Sequence, residues 1–277
     1  MSTPSSSRLD EAALRATLLT PGSLWTALDV VAETGSTNAD LMAAALAGAP
    51  EGTVLAAEYQ NRGRGRQGRT WATPPAARAL TFSVLLRPAA VPPGGRGWLP
   101  LLAGVATARA LRAAAAVDAV LKWPNDVLAG GAKLAGILAE QAGDAIVVGI
   151  GINVGAQAED LPPRGPGALP ATSLAILSAA GPDSAPPAGR TALLAAVLGE
   201  LARWYRRWTA AGDADASGLR EEYLRRCATI GARVAVELPG GARLSGTAAG
   251  IDPAGRLLVE TAGELVPVSA GDVIHLR

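Results

Sequence analysis

The sequence predicts an α+β chain, a mixed β-sheet packed with helices and followed by a small C-terminal β-barrel. Three observations predict it. Strand patterns joined by consecutive glycine turns, Gly130-Gly131 and Gly143-Asp144, argue for a sheet that is mixed or antiparallel, while apolar stretches at helical spacing supply the packing layer. After Thr229 the pattern changes to short alternating strands separated by Pro/Gly turns, which suits a small barrel of about 50 residues. A hydrophobic fraction of 49% over 277 residues is enough for one large domain plus a small one. The expected boundaries are a mobile leader over 1–28, a main domain over 29–228 and the barrel over 229–277.

In chain order, Asp10 to Leu19 reads as a short helix begun by Asp10-Glu11 and ended by Pro21-Gly22. Leu28 to Ala32 reads as a strand, and Ser36-Thr37-Asn38 opens an alanine-rich helix to Leu46. One of these three residues is explained as an N-cap; the other two are free to contact a neutral polar ligand. Thr53 to Tyr59 and Leu80 to Arg87 read as strands, and Trp98 to Val117 as a buried helix with Arg109 and Arg112 on its exposed side. Val120 to Val127 is a strand entering a turn. The two glycine turns then set off Lys133 to Glu140 and Ala145 to Val154 as strands. Pro/Gly-rich loops, Gly155 to Pro170 and Gly181 to Gly189, flank a short helix from Thr172 to Ala179. Leu193, Leu194, Val197, Leu198, Leu201, Tyr205 and Trp208 recur at helical spacing, so Arg190 to Thr209 is amphipathic with core aromatics. Ser217 to Cys227 is a last helix. The barrel strands are Arg233–Leu238, Ala242–Ile251, Arg256–Thr261 and Glu264–Pro267, with turns at Pro239-Gly240-Gly241, Asp252 to Gly255 and Ala262-Gly263.

The chemistry centres on Gly63-Arg64-Gly65-Arg66-Gln67-Gly68-Arg69, three glycines interleaved with three arginines at the end of a strand. Glycines let backbone N–H groups turn towards a ligand, and guanidinium forks fit phosphate or carboxylate oxygens, so the loop suits an anion. The spacing matches a dinucleotide fingerprint, but Thr73-Pro74-Pro75 forbids the helix that motif opens. No acid occurs between Glu58 and Asp118 to bind a ribose. An RNA-binding arginine segment is the other alternative, and the enclosing apolar strands argue instead for a folded site. Net charge is +1, so any electrostatic function is local. Arginines 62, 64, 66, 69, 78, 87, 96, 109 and 112 in the acid-free stretch point to a regional positive potential. Lys122 and Lys133 are the only lysines among 25 Lys and Arg residues, which marks positions where a compact ammonium is needed and a guanidinium will not serve. One cysteine, Cys227, excludes an internal disulfide and a cysteine metal cluster. One histidine, His275, cannot alone form a hydrolase triad and is read as a strand residue with an ordinary hydrogen bond. No apolar run approaches the about 20 residues of a membrane span, and the Ser-rich Met1 to Arg8 lacks a signal h-region, so a cytoplasmic protein is expected.

Five blocks, Ser36-Thr37-Asn38, Glu58-Tyr59-Gln60 with the Gly63 to Arg69 loop, Lys122-Trp123-Pro124-Asn125-Asp126, Lys133 to Leu138 and Gly149-Ile150-Gly151-Ile152-Asn153-Val154, together resemble bacterial biotin protein ligases. The resemblance runs from about residue 30 to 277. It implies a class II synthetase-like main domain and an SH3-like terminal barrel. It also implies a reaction in which biotin and ATP give biotinyl-5′-AMP and pyrophosphate, after which biotin passes to a lysine of the biotin carboxyl carrier domain of a carboxylase. About 30 residues before the pattern are too few for the DNA-binding domain of bifunctional members, so the ligase-only form, with no DNA partner, is expected. Monomer and homodimer both stay open.

Carried over residue by residue, the resemblance implies that Arg64 and Arg66, with Lys133, Lys122 and Asp126, carry the chemistry. Ser36, Thr37, Asn38, Gln60, Gly63, Gly65, Trp71 and Gly136, with Arg64, Arg66 and Lys133, would form the biotin site. Arg69, Asn125 and Asn153, with Arg64, Arg66, Trp71, Lys122 and Asp126, would form the ATP site, and Mg²⁺ would arrive with ATP near Asp126, no protein cluster holding a metal. Ala132 and Gln67 depart from the family pattern between the matched positions. A lipoate-protein ligase of the same fold is the nearest alternative.

Overall fold

A computed structural model describes residues 8–75, 77–163, 169–179, 189–238, 242–269 and 271–276. The turn at 239–241, residues 1–7 and most of the 181–189 loop lie outside them. In chain order the elements are α1 (Glu11–Leu18), β1 (Ala27–Thr34), α2 (Thr37–Leu46), β2 (Thr53–Gln60), β3 (Ala79–Leu86), α3 (Leu99–Ala115), β4 (Val120–Lys122), β5 (Asp126–Ala129), β6 (Ala132–Ala142), β7 (Ala145–Asn153), α4 (Leu174–Ala179), α5 (Arg190–Ala211) and α6 (Leu219–Arg226). Then follow β8 (Arg233–Glu237), β9 (Arg243–Ile251), β10 (Leu257–Thr261), β11 (Glu264–Val268) and β12 (Asp272–His275).

The first sheet has the order β1-β2-β3-β7-β6-β5-β4. β1 and β2 pair in parallel, across the α2 crossover, and the remaining pairs are antiparallel, so the sheet is mixed as expected. Eleven residues of α3 are buried, and α3 packs with α5 over one face of the sheet. On the other face α2 closes a smaller apolar cluster through Leu41 and Ala45. All eight residues of β3 are buried, because that strand is covered on both faces. Its only polar side chains, Thr81 and Ser83, share the α2 face.

The predicted barrel is a five-stranded antiparallel sheet, order β11-β10-β9-β8-β12. Its fifth strand, β12, follows the predicted set and pairs with β8. The two sheets share one core, since Val234, Val236, Ile251 and Val259 join the same buried cluster as α3. Two buried tryptophans fasten the joint: Trp98 Nε1 donates to Pro253 O at 3.0 Å and Trp123 Nε1 to Gly255 O at 3.1 Å. An indole N–H taken out of water needs such an acceptor.

Two expectations are corrected. From Leu9 onward the leader is part of the fold: Leu9, Leu14, Leu18 and Trp25 are buried, Leu9 N–H donates to Glu58, and Trp25 Nε1 donates to Leu198 O. Leu14 and Leu18 stand one helical turn apart and give α1 an apolar stripe that requires a partner. The broad positive potential over 59–117 is also largely cancelled. Arg78 pairs with Asp160, Arg87 with Asp144, Arg109 with Glu200 and Glu222, and Arg112 with Asp118, all acids from later in the chain. Among the described residues no helix is long and apolar enough to cross a membrane.

Candidate active site

A cavity of about 720 Å³ opens on the α2 face, between that sheet, the arginine loop and β12. Its floor is made by absent side chains. In the pleat, Gly149 and Gly151 of β7 point one way while Ile150 and Ile152 point into the core, and Gly136 of β6 lies opposite Gly151. Trp71 lies on this platform: a Cβ at Gly151 would stand 2.6 Å from the indole, and one at Gly136 3.0 Å from it.

The loop is a closed turn. Arg64 bridges to Thr70, Gly65 N–H donates to Arg69 O at 2.7 Å, and Trp71 N–H donates to Gly63 O at 2.9 Å. A 3₁₀ turn at Arg66–Gly68 carries Gln67 and Gly68 through positive φ, 54° and 73°. This fans the arginines apart. Arg64 reaches Glu140 at 3.2 Å, Arg66 reaches Asn125 Oδ1 at 3.4 Å, and Arg69 pairs with Asp272 on β12.

One end of the cavity is neutral. Ser36 N-caps α2, which is the capping role expected of one residue in that triplet. Thr37 N–H and Oγ1 contact Gln60 Oε1 at 2.8 and 3.0 Å, Thr37 Oγ1 meets Ser83 Oγ at 2.7 Å, and Ser83 donates to Asn38 Oδ1 at 2.6 Å. Asn38 Nδ2 donates to Leu138 O and Glu140 Oε2. A Cβ at Gly149 would sit 2.1 Å from Asn38 Oδ1, so that glycine makes the room for the amide.

The other end is cationic. Lys133 Nζ is 2.6 Å and Lys122 Nζ 3.8 Å from the Asp126 carboxylate. Burial pulls the Lys122 ammonium below its ordinary pKa; Asp126 opposes this, and Lys133, Arg69 and Arg66 add to it. Burial likewise lowers Arg66, against the pull of Asp126. The five cations lining the cavity, Arg64, Arg66, Arg69, Lys122 and Lys133, face three carboxylates, Asp126, Glu237 and Asp272. The lining cations outnumber the lining carboxylates by two, a balance that favours a polyanionic ligand. Among the described residues no group of three or more His, Cys, Asp or Glu could hold a metal.

The cavity brings together all but two of the residues read from the sequence. Asn153 is buried at the end of β7 with its amide donating to Thr172 O at 2.9 Å, and it does not line the cavity. Gly63 also lies off the wall and acts through its backbone on Trp71. Asn125 lines it, with one Nδ2 hydrogen given to Ile137 O at 3.0 Å. Sequence reasoning missed Ser83, Glu140, Gly149, Asp272 and His275. A hydroxyl inside an otherwise apolar strand was a usable signal for Ser83. Asp272 and His275 had none, because they arrive from the second sheet. His275 Nε2 lies 3.2 Å from Thr229 Oγ1, the ordinary bond expected, and the ring also lines the cavity beside Lys122.

Fold and site together define a protein with one deep cavity, neutral and hydrogen-bonding at one end and cationic at the other. Residues 31–156 match the Biotin/lipoate A/B protein ligase family, and residues 229–276 match the Biotin protein ligase C terminal domain. The chain is 46% identical over 273 residues to the biotin--[acetyl-CoA-carboxylase] ligase of Mycobacterium tuberculosis, spanning 97% of this chain and 96% of that protein. It is 33% identical to the bifunctional ligase/repressor of Bacillus spizizenii over 88% of this chain and 72% of that protein. The biotin protein ligase from Aquifex aeolicus in complex with biotin and ATP superposes with a TM-score of 0.71 at 26% identity, covering 90% of this chain and 98% of that one. The chain belongs to the biotin protein ligase family.

Proposed function

We propose that this chain joins biotin to a protein lysine in two steps at the one cavity. In the first, a carboxylate oxygen of biotin attacks the α-phosphorus of ATP, the α–β phosphoanhydride bond breaks, and pyrophosphate leaves. In the second, the ε-amine of the acceptor lysine attacks the acyl carbon and AMP leaves. The acceptor we assign is the biotin carboxyl carrier domain of a biotin-dependent carboxylase, in keeping with the name of the Mycobacterium tuberculosis relative.

The obstacle in the first step is charge. Two like unit charges 4 Å apart repel by about 4 kcal/mol at an effective dielectric constant of about 20. Lys133, Arg66 and Lys122 offset this repulsion where the two anions meet, with Arg64 and Arg69 available to the trailing phosphates. Asp126 holds Lys133 on one carboxylate oxygen at 2.6 Å and has Lys122 3.8 Å from the other. What carries the reading is Lys133: its ammonium stands 5.9 Å from the Trp71 ring centroid and 2.6 Å from Asp126, where the neutral end of the cavity gives way to the cationic end. A Mg²⁺ brought by the triphosphate would find Asp126 as the carboxylate beside it, and would supply further neutralisation of phosphate charge.

Biotin is favoured over lipoate by the buried polar row at the neutral end. Against a dithiolane ring, the polar atoms that Thr37 and Gln60 present to the cavity would gain no hydrogen bond from the ligand. The test is pyrophosphate release by the purified chain with ATP and Mg²⁺ and either biotin or lipoate, followed by mass spectrometry of an added apo carrier domain. Release with biotin and a biotin-sized mass gain are expected; silence with biotin overturns the proposal.

A further inference from the structure

The arginine loop leaves the first sheet through a split between two neighbouring strands. Among the described residues β2 and β3 pair from Val54 opposite Val84 to Ala57 opposite Thr81. Beyond that point β2 runs on to Gln60 along β1, and β3 begins at Ala79 along β7, so each stem keeps its outer neighbour and parts from the other. The chain between the stems carries Arg64, Arg66, Arg69 and Trp71. Backbone groups that face such a split lose their ladder partners and need others.

Arg190, the first residue of α5, stands in this split. Its Nη2 donates to Glu58 Oε2 on β2 at 2.6 Å, and its Nη1 donates to Ala79 O on β3 at 3.1 Å. One guanidinium thus spans both stems. The other oxygen of Glu58 accepts from Leu9 N–H at 2.6 Å, which holds the carboxylate independently of Arg190. Both charged side chains are buried. Desolvation of two charges can outweigh their attraction, so stability alone does not account for an ion pair here. What a planar fork supplies, and an apolar contact does not, is a fixed spacing between two acceptors.

We propose that Arg190 is a positioning residue for adenylation: with Glu58 it sets the separation of the two stems, and through them the place of the loop arginines relative to Lys133. The inference rests on the ligase reading above, and it concerns a side chain that acts from the α5 face, off the cavity wall. Arg190→Lys keeps a positive charge beside Glu58 and loses the fork, and a single ammonium does not hold two acceptors at a set distance. The stems then shift against each other and the loop opens more often. Gln60 stays in place, because it pairs with Thr34 of β1 and accepts from Thr37.

The experiment combines hydrogen exchange of the full chain without ligand, read by mass spectrometry, with pyrophosphate release at saturating biotin. In Arg190→Lys the amides of residues 61–75 are expected to exchange about tenfold faster or more, with β7 unchanged as the internal reference. The kcat/KM for ATP is expected to fall by up to about 10²-fold, as misplaced groups cost, while biotin affinity measured by calorimetry is kept. A residue that only stabilises the fold would speed exchange in β7 and the loop alike, and that outcome overturns the proposal. So does loop exchange at the wild-type rate, or ATP turnover that does not change. If Arg190→Lys does not fold, the double variant Glu58→Gln, Arg190→Gln, which buries no charge, is expected to show the same loop-specific increase. A wild type that releases no pyrophosphate with biotin overturns the ligase reading itself, and that failure is told apart because the exchange pattern is read without any ligand.

Discussion

The two ends of the cavity are built on opposite principles. At the neutral end Thr37, Asn38, Gln60 and Ser83 are buried, packed against α2 and β3, and bonded to one another. At the other end Lys133 and Arg69 are a third or more exposed at the side chain, and the charges do not balance. A buried, mutually bonded network holds its shape and can discriminate between ligands, while an unbalanced set of cations stabilises whatever negative charge develops beside it. On the proposed reading, specificity belongs to the first end and chemistry to the second.

If that division is right, damage at each end leaves a different signature. The largest effect is expected from Lys133→Ala: adenylation, followed as pyrophosphate release, falls by about 10³-fold, in the range for loss of a single transition-state donor, while biotin binding persists. Equal loss of biotin affinity would erase the division. At the neutral end, Gly149→Ala drives a methyl into Asn38 Oδ1. Overpacking of this kind costs about 1–3 kcal/mol, so biotin affinity measured by calorimetry drops by about ten- to a hundredfold with ATP affinity unchanged.

A smaller effect tests the contribution of the second sheet. Asp272 pairs with Arg69, and on the proposed reading it competes there with phosphate. Because exposed ion pairs are worth about 0.2–1 kcal/mol, Asp272→Asn is expected to lower the KM for ATP by about two- to fivefold and to leave that for biotin alone. The smallest concerns His275, whose pKa is lowered from 6.5 by burial and then by Lys122. Between that lowered value and 6.5 the unfolded chain binds more protons than the folded one, so stability is greatest above 6.5 and is lost as pH falls through the window. Chemical denaturation across this range is expected to give a flatter pH profile for His275→Gln than for wild type.

Much of the neutral end was legible in the sequence. Ser36-Thr37-Asn38 sat at a helix start with more polar groups than a cap requires, whereas Gln60 joined them only through the family resemblance. The two lysines were legible for a different reason: in a chain that otherwise uses arginine, a residue choice with no compositional explanation marks a constraint. The mixed sheet followed from hairpin turns, and the buried helices from their period. The leader was misread because eight residues of helix carry little signal alone, and only the groove between α5 and the first sheet explains why Leu14 and Leu18 are where they are.

The sequence by itself determined the element types, the anion-seeking loop and the pair of lysines, because periodicity, turn chemistry and residue choice are local properties of a chain. Tertiary structure alone decided which arginines keep a free charge, since the counterions of Arg78, Arg87 and Arg109 come from positions 57 to 113 residues away. It alone brought Asp272 and His275 from the second sheet to the wall of the cavity. It alone joined Thr37, Gln60, Ser83 and Asn38 into one row, because hydrogen-bond partners that lie 23 to 46 residues apart are chosen by the fold.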